Sequence, residues 1–350
     1  MSSIVTLHAQ DASTVGIGVE AKSVTVLTKT IEPSTMSFTA LPDSANTPLE
    51  RKSDIAKWKL MDFPGISLVN TLNKCWFHAS LHFLIGIPRL RSISLSVPSD
   101  VTRLESKLFE AIRAIFHTRH SGPVHALFPL VGQFSGRDGR YGQVAVPDFL
   151  DYLCRQSPLV SGATSFSYFT KLQCSKCRWI RQLRSNDNSL KLYIPTGCTH
   201  ITLADLFGYN SNSVLNNSES VFCGTCNMKT AQSSSRDYGE GPDLFLVEII
   251  RVKKASKNQW QKSSVPISFP VTKLKLPSFS RSYTITASCH HRGSLTSGHW
   301  FTKLSTHHGW YELDDLKKKN FAIPPPGNRD NSVVVLLLIA EDLISKLNTH

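Results

Sequence analysis

The sequence predicts an α+β fold on three observations. Apolar residues recur at helical spacing between Asn73 and about Leu153. Strand-like runs bounded by Gly, Pro, Asn and Ser follow from Phe166 onward. The run VVVLLLIA, Val333 to Ala340, holds eight unbroken apolar residues, the length of a buried strand. Helices first and antiparallel strands later is the α+β pattern.

The first helix is expected over Asn73 to Gly86, with Asn73 as its N-cap. Trp76, Phe77, Ser80, Leu81, Leu84 and Ile85 line one side, and Gly86 and Pro88 stop it. A second helix is expected from Val101 to His117, with Leu104, Leu108, Ile112, Ile115 and Phe116 inward. A third, short one starts at Pro147 and carries Phe149, Leu150 and Leu153. Strands are expected at Leu190 to Pro195 and, fully buried, at Leu244 to Val252. VPISFP, YTITAS, HWFTKLS, GWYELDD and SVVVLLLIA read as further strands. Gly208 to Ser220 and Lys253 to Ser264 read as polar loops. No internal repeat is visible. Residues 1 to 55, rich in Ser, Thr, Ala and Val, lack Trp and hold one Phe, which predicts a disordered tail. Aromatics return at Trp58, where the folded region is expected to begin.

With 350 residues and 41% hydrophobic content the chain can build a sizeable core. No apolar run approaches the roughly eighteen residues of a membrane span, and no basic start precedes an apolar block. No membrane association is therefore expected, and the expected compartment is cytoplasm or nucleus. The formal charge of +13 admits nucleic acid or acidic partners. The cations are scattered and interleave poorly with aromatics, so the expectation is a solvated surface without nucleic acid.

Eight cysteines are too few for a disulfide scaffold in a chain this long. Four form two pairs, CSKC (Cys174, Cys177) and CGTC (Cys223, Cys226). Two such knuckles complete a tetrahedral thiolate site for zinc, and four filled positions make that zinc structural. A redox role would need a βαβ setting that is missing here. Cys154, Cys198 and Cys289 are unassigned and read as core or incidental thiols.

Cys75 lies at the start of the first helix, where unpaired N–H groups and the positive dipole end favour a thiolate. Around it, SLVNTLNKCWFHASLHFL, Ser67 to Leu84, resembles the cysteine box of ubiquitin-specific proteases, G-L-x-N-x-G-N-T-C-Y-x-N-[SA]-x-L-Q. Leu68, Asn70, Asn73, Cys75, Ala79 and Leu81 match it outright, and Trp76 matches in character. Ser67, Leu72, Lys74, His78 and His82 depart from it. SGHWFTKLSTHHGWYELDD, Ser297 to Asp315, resembles the family's histidine box through Gly298, His299, Trp310, Tyr311, Asp314 and Asp315. The two knuckles resemble its fingers. GPDLFLVEIIRV resembles the strand that follows them, and QVAVPDFL keeps Gln143, Asp148, Phe149 and Leu150 of a middle motif.

The resemblance implies a papain-like cysteine protease fold with helical thumb, β-rich palm and zinc-ribbon fingers. It places a catalytic domain over 56–350, with the fingers inserted at about 166–252. It implies a thiol-dependent deubiquitinase that hydrolyses the isopeptide bond after the C-terminal Gly of ubiquitin, so ubiquitin or ubiquitinated proteins are the expected partners. Cys75 would be nucleophile, His299 base, Asp314 its orienter, Asp315 an assistant and Asn70 an oxyanion donor. Such a donor is worth roughly 3 kcal/mol in comparable hydrolases. On a hairpin HWFTKLS–GWYELDD, alternation places Asp314 beside His299 and turns Asp315 to the other side, unless a bulge redirects it. Gly298, next to the base, lets backbone approach closely. A SUMO isopeptidase, a ubiquitin-binding pseudoenzyme and a basic zinc-ribbon protein that binds nucleic acid are the alternatives.

Overall fold

The segment CWFHASLHFLI forms helix α1 (Cys75–Ile85), and all eleven of its residues are buried. Its three polar side chains are each partnered: Ser80 Oγ donates to Trp76 O, His82 Nε2 to Ile66 O, and His78 meets Asp315. A helix apolar all round belongs inside the core rather than on its surface, so the expected one-sided face is replaced by complete burial. The start also differs. Asn73 is left-handed at φ 56°, and Lys74 precedes the first helical residue.

The computed structural model describes residues 65–70, 73–131, 134, 144–215, 219–256, 259–295, 297–321 and 327–348. The expected tail over 1–55, the start at Trp58, Leu72 and Gln143 lie outside them. Pro88 opens helix α2 (Pro88–Leu95), at the position where its missing N–H costs nothing. Helix α3 (Arg103–Arg113) starts on a capping box, in which Thr102 Oγ1 accepts from Glu105 N and Glu105 Oε2 accepts from Thr102 N. It passes into a π-turn over Ala114–Thr118 that ends at left-handed Arg119, so the expected helix to His117 is not one regular α-helix. Helix α4 (Gly122–Val131), with Pro129 inside it, was not legible in the periodicity. Helix α5 (Val146–Gln156) begins as expected with Pro147 in its first turn. Helix α6 (Pro158–Thr164) follows at once, and α7 (Leu203–Ser211) and α8 (Glu341–Asn348) lie among and after the strands.

The strands in chain order are β1 (Phe166–Cys174), β2 (Ile180–Asp187), β3 (Ser189–Tyr193), β4 (Ile201–Thr202), β5 (Asn212–Leu215), β6 (Val221–Cys223), β7 (Met228–Thr230) and β8 (Gln232–Asp237). Then come β9 (Leu244–Ile250), β10 (Val252–Ser256), β11 (Gln259–Lys262), β12 (Ile267–Phe269) and β13 (Leu274–Lys275). The last six are β14 (Ser282–Gly293), β15 (Gly298–Thr306), β16 (Gly309–Asp314), β17 (Lys317–Phe321), β18 (Gly327–Asp330) and β19 (Val333–Ala340). The main sheet runs β17-β16-β15-β14-β19-β9-β3, with β13 on the flank of β14. β19, buried at every residue, lies inside the sheet between β14 and β9, as its apolar run requires. The sheet is not wholly antiparallel: β3 pairs parallel with β9. α1 packs across β15 and β14 and against α5. A separate sheet, β2-β1-β8-β5, carries the first knuckle at its end, and hairpin β6–β7 carries the second.

Both expected loops hold structure. Gly208 to Ser220 contains the end of α7 and β5, and Lys253 to Ser264 contains hairpin β10–β11. These strands are polar because little of the core lies on either face. β5, for example, is exposed along most of its length, so no apolar alternation marks it.

Candidate functional site

The core position of α1 fixes where Cys75 sits. Cys75 is its first helical residue and only 3% exposed. β15 crosses α1, and Thr302 Oγ1 on β15 donates to Ala79 O at 2.8 Å, which pins strand to helix. His299 lies near the start of β15, close enough to Cys75 for that side chain to be the largest influence on its pKa. Hairpin β15–β16 turns at Thr306↔Gly309, with Gly309 at φ 111°. It returns Asp314 to His299, with Asp314 Oδ1 accepting from Nε2 at 2.5 Å. Nε2 is thereby committed, and Nδ1 is the nitrogen left for Cys75. Cys75 first, and Asp314 with it, outweigh the opposing effect of burial and raise the His299 pKa to about 9. This is the layout that a thiol nucleophile, its base and an orienting carboxylate require.

Asp315 corrects the alternation argument. It follows the last residue of β16 with φ 51°, and this left-handed step returns its side chain to the same side as Asp314. Asp315 Oδ2 is 3.7 Å from His299 Nε2 and accepts from Asn70 Nδ2 at 2.8 Å. Its Oδ1 is 3.1 Å from His78 Nδ1. Asn70 Oδ1 in turn accepts from Lys74 N at 2.8 Å, so the amide is held from both ends. Leu68 N donates to Asp315 O, tying the segment that leads into α1 to the same turn. All five residues named from the sequence therefore meet at one place.

His78 was missed as a member of this group. It stands three residues after Cys75, a spacing that puts both on one side of a helix, so the signal was present. Lys262 and His291 had no such signal, because they come from different strands. Lys262 Nζ lies 2.9 Å from His291 Nδ1, and donates to His291 O at 2.7 Å and Gly293 O at 2.9 Å. Burial first, then Lys262, lowers the His291 pKa to about 4, so its ring stays neutral. A Cβ on Gly298 would collide with His291 Nε2 and Arg292 O. Gly298 therefore makes room for a neighbouring imidazole. The next residue in the chain is His299.

Beside the site runs a cavity of about 210 Å³, lined among others by Asp148, Glu248, Lys262, His291, Leu295 and Trp300. Burial raises the carboxyl pKa of Asp148 and brings that of Glu248 to about 7. Lys191 Nζ is 4.0 Å from Glu248 and its side chain is half exposed.

The four knuckle cysteines converge elsewhere. Their ligand atoms lie within 4.8 Å of one another, with Cys177–Cys223 Sγ at 3.6 Å and Cys174–Cys226 Sγ at 3.8 Å. Zn–S bonds of about 2.3 Å put tetrahedral sulfurs about 3.8 Å apart, so the cluster fits a metal of that size without rearrangement. Thr230 Oγ1 stands 3.2 Å from Cys174 Sγ and favours its thiolate. The cluster can hold a metal ion.

A model of the ubiquitin carboxyl-terminal hydrolase family matches residues 147–332. That stretch includes the knuckles, His299, Asp314 and Asp315 but not Cys75. Ubiquitin carboxyl-terminal hydrolase 21 of Bos taurus is 26% identical over 124 residues, 33% of this chain and 22% of that protein. Ubiquitin carboxyl-terminal hydrolase 17-like protein C of Mus musculus is 21% identical over 316 residues, 82% of this chain and 57% of that protein. The chain spans less than two thirds of these relatives. Among solved structures, a chain of the SAGA Ubp8/Sgf11/Sus1/Sgf73 DUB module bound to ubiquitin aldehyde superposes with TM-score 0.64 at 14% identity, covering 79% of this chain and 70% of that one. The same module bound to monoubiquitin gives 0.66 at 14% identity, covering 85% and 73%. At this identity the likeness establishes a shared fold. Among the described residues, no helix is long and apolar enough to cross a membrane.

Proposed function

Since the chain belongs to the ubiquitin carboxyl-terminal hydrolase family, we propose that it is a thiol-dependent isopeptidase that cleaves after the C-terminal Gly of ubiquitin. The observation that carries this reading is the Cys75–His299–Asp314 alignment at the junction of α1 and β15. His299 holds the proton taken from Cys75, and the thiolate attacks the carbonyl carbon. His299 then gives that proton to the departing lysine amine, and water resolves the thioester. Asp314 keeps the imidazole in the tautomer that places its free nitrogen toward Cys75. Asn70 spends one N–H on Asp315 and has a second for the oxyanion. The 210 Å³ cavity would receive the modifier's tail, and its two acids suit a tail with cationic side chains ahead of Gly-Gly. Zinc would be held by Cys174, Cys177, Cys223 and Cys226. With no open ligand position it would supply structure to the finger sheet.

The test is covalent capture by ubiquitin and SUMO probes, each ending in a cysteine-reactive warhead. An adduct with the ubiquitin probe that disappears in Cys75→Ala and His299→Ala is expected. An adduct with the SUMO probe alone would move the modifier to SUMO. No adduct with either from zinc-loaded protein would sink the enzyme reading in favour of a binding protein.

A further inference from the structure

Four cations already cluster in the chain at Lys176, Arg178, Arg181 and Arg184, and the fold brings Lys229 to them. Lys176, Arg178, Arg181, Arg184 and Lys229 all lie in residues 174–184 and 221–230, stretches with no Asp or Glu, and all five are exposed. The sulfur contacts of the two knuckles make these stretches one tip, and Lys176 Nζ reaches Met228 Sδ across it at 3.4 Å. Four thiolates around a divalent ion carry two net negative charges, fewer than five cations supply. The tip is therefore electropositive beyond what a metal centre would neutralise.

It is also apolar. Trp179 is 40%, Ile180 56%, Phe222 52% and Met228 44% exposed. Phe222 faces Lys229 across hairpin β6–β7, and Trp179 sits in chain between Arg178 and Ile180–Arg181. Large side chains left in water amid a single-sign charge mark a contact surface rather than a solubilising one. Its partner must be anionic and must offer flat apolar faces. An acidic peptide has the charge but few such faces. Single-stranded nucleic acid has both, in alternation along one chain.

We propose that the knuckle tip binds single-stranded nucleic acid, its cations on phosphates and Trp179 and Phe222 against bases. The surface shares no residue with the Cys75 site, so the proposal stands or falls separately from the isopeptidase reading.

The experiment is fluorescence anisotropy of the full, zinc-loaded chain with labelled 20-nucleotide oligo-dT and oligo-U, at salt from about 50 to 300 mM. Binding is expected with a log–log salt slope of up to roughly −3.5, about −0.7 for each phosphate engaged. Arg181→Glu with Lys229→Glu should cut the slope by about 1.4 or more. Trp179→Ala should weaken binding at least about five-fold. Cys75→Ala should bind like wild type, and zinc content and circular dichroism check that each variant is folded. No binding at the lowest salt overturns the proposal. So does binding that ignores all three tip substitutions, which would assign it to the overall charge. Equal competition by polyglutamate would assign the tip to an acidic protein. Unchanged oligonucleotide binding with a raised KM for a ubiquitin substrate in Trp179→Ala would assign it to the modifier.

Discussion

At the residue scale, one backbone torsion at Asp315 decides the polar order around the site. Left-handed geometry aims its carboxylate at Asn70 and His78. Asp315→Asn keeps the volume but offers a poorer acceptor to Asn70. Turnover is expected to fall about ten-fold or more, with KM little changed, as for an interaction used only in the transition state. Unchanged kcat would show the network to be idle. His299 carries a pH signature. Its pKa is about 9 in the fold against an ordinary 6.5. The stability it contributes is therefore complete below about pH 6.5 and lost as pH rises through about 9. Urea unfolding of wild type and Cys75→Ala across that window tests this, because removing the thiol takes away the largest cause and should flatten the decline. Glu248 titrates lower. Its carboxyl sits near 7 against 4.5, through burial first, so stability declines from about pH 4.5 to 7. Glu248→Gln should stabilise by at most about 3 kcal/mol at pH 8 and leave pH 4 unchanged.

At the element scale, Lys262 ties hairpin β10–β11 to the segment just ahead of β15. One ammonium meets three acceptors on residues 291–293. Lys262→Met should lose about 1–3 kcal/mol of unfolding free energy and slow turnover, while Lys262→Arg restores part of both. Denaturation and kinetics on the same samples check this, and a stability loss with kcat intact would confine Lys262 to scaffolding. How legible such elements were depended on burial. β9, β15, β16 and β19 could be read because they line a core, whereas β5, β10 and β11 could not, since polar strands on exposed hairpins look like loops. α1 was read in the right place with the wrong surroundings. Helical spacing reports a face, but only its low polarity reported that every face is covered. The two boxes named Cys75, Asn70, His299, Asp314 and Asp315 together. They were silent on Lys262 and His291, whose meeting is a fact of sheet order.

At the scale of the molecule, the knuckles and the Cys75 site belong to different sheets. Metal removal should therefore separate them. We expect one zinc per chain by elemental analysis, and a lower melting temperature after chelation or Cys177→Ser. Selective alkylation of Cys75 should outlast that loss. Simultaneous loss of both would mean that the finger sheet and the main sheet unfold as one. The main sheet carries a further consequence through the order of its strands. β19 lies between β14 and β9, so the two halves of the sheet have no direct hydrogen bonds until that last strand is threaded between them. On a translating ribosome, both Cys75 and His299 would be made before the strand that joins the two halves. A message cut short before residue 333 would therefore leave β14 and β9 unjoined, with the sheet in two pieces.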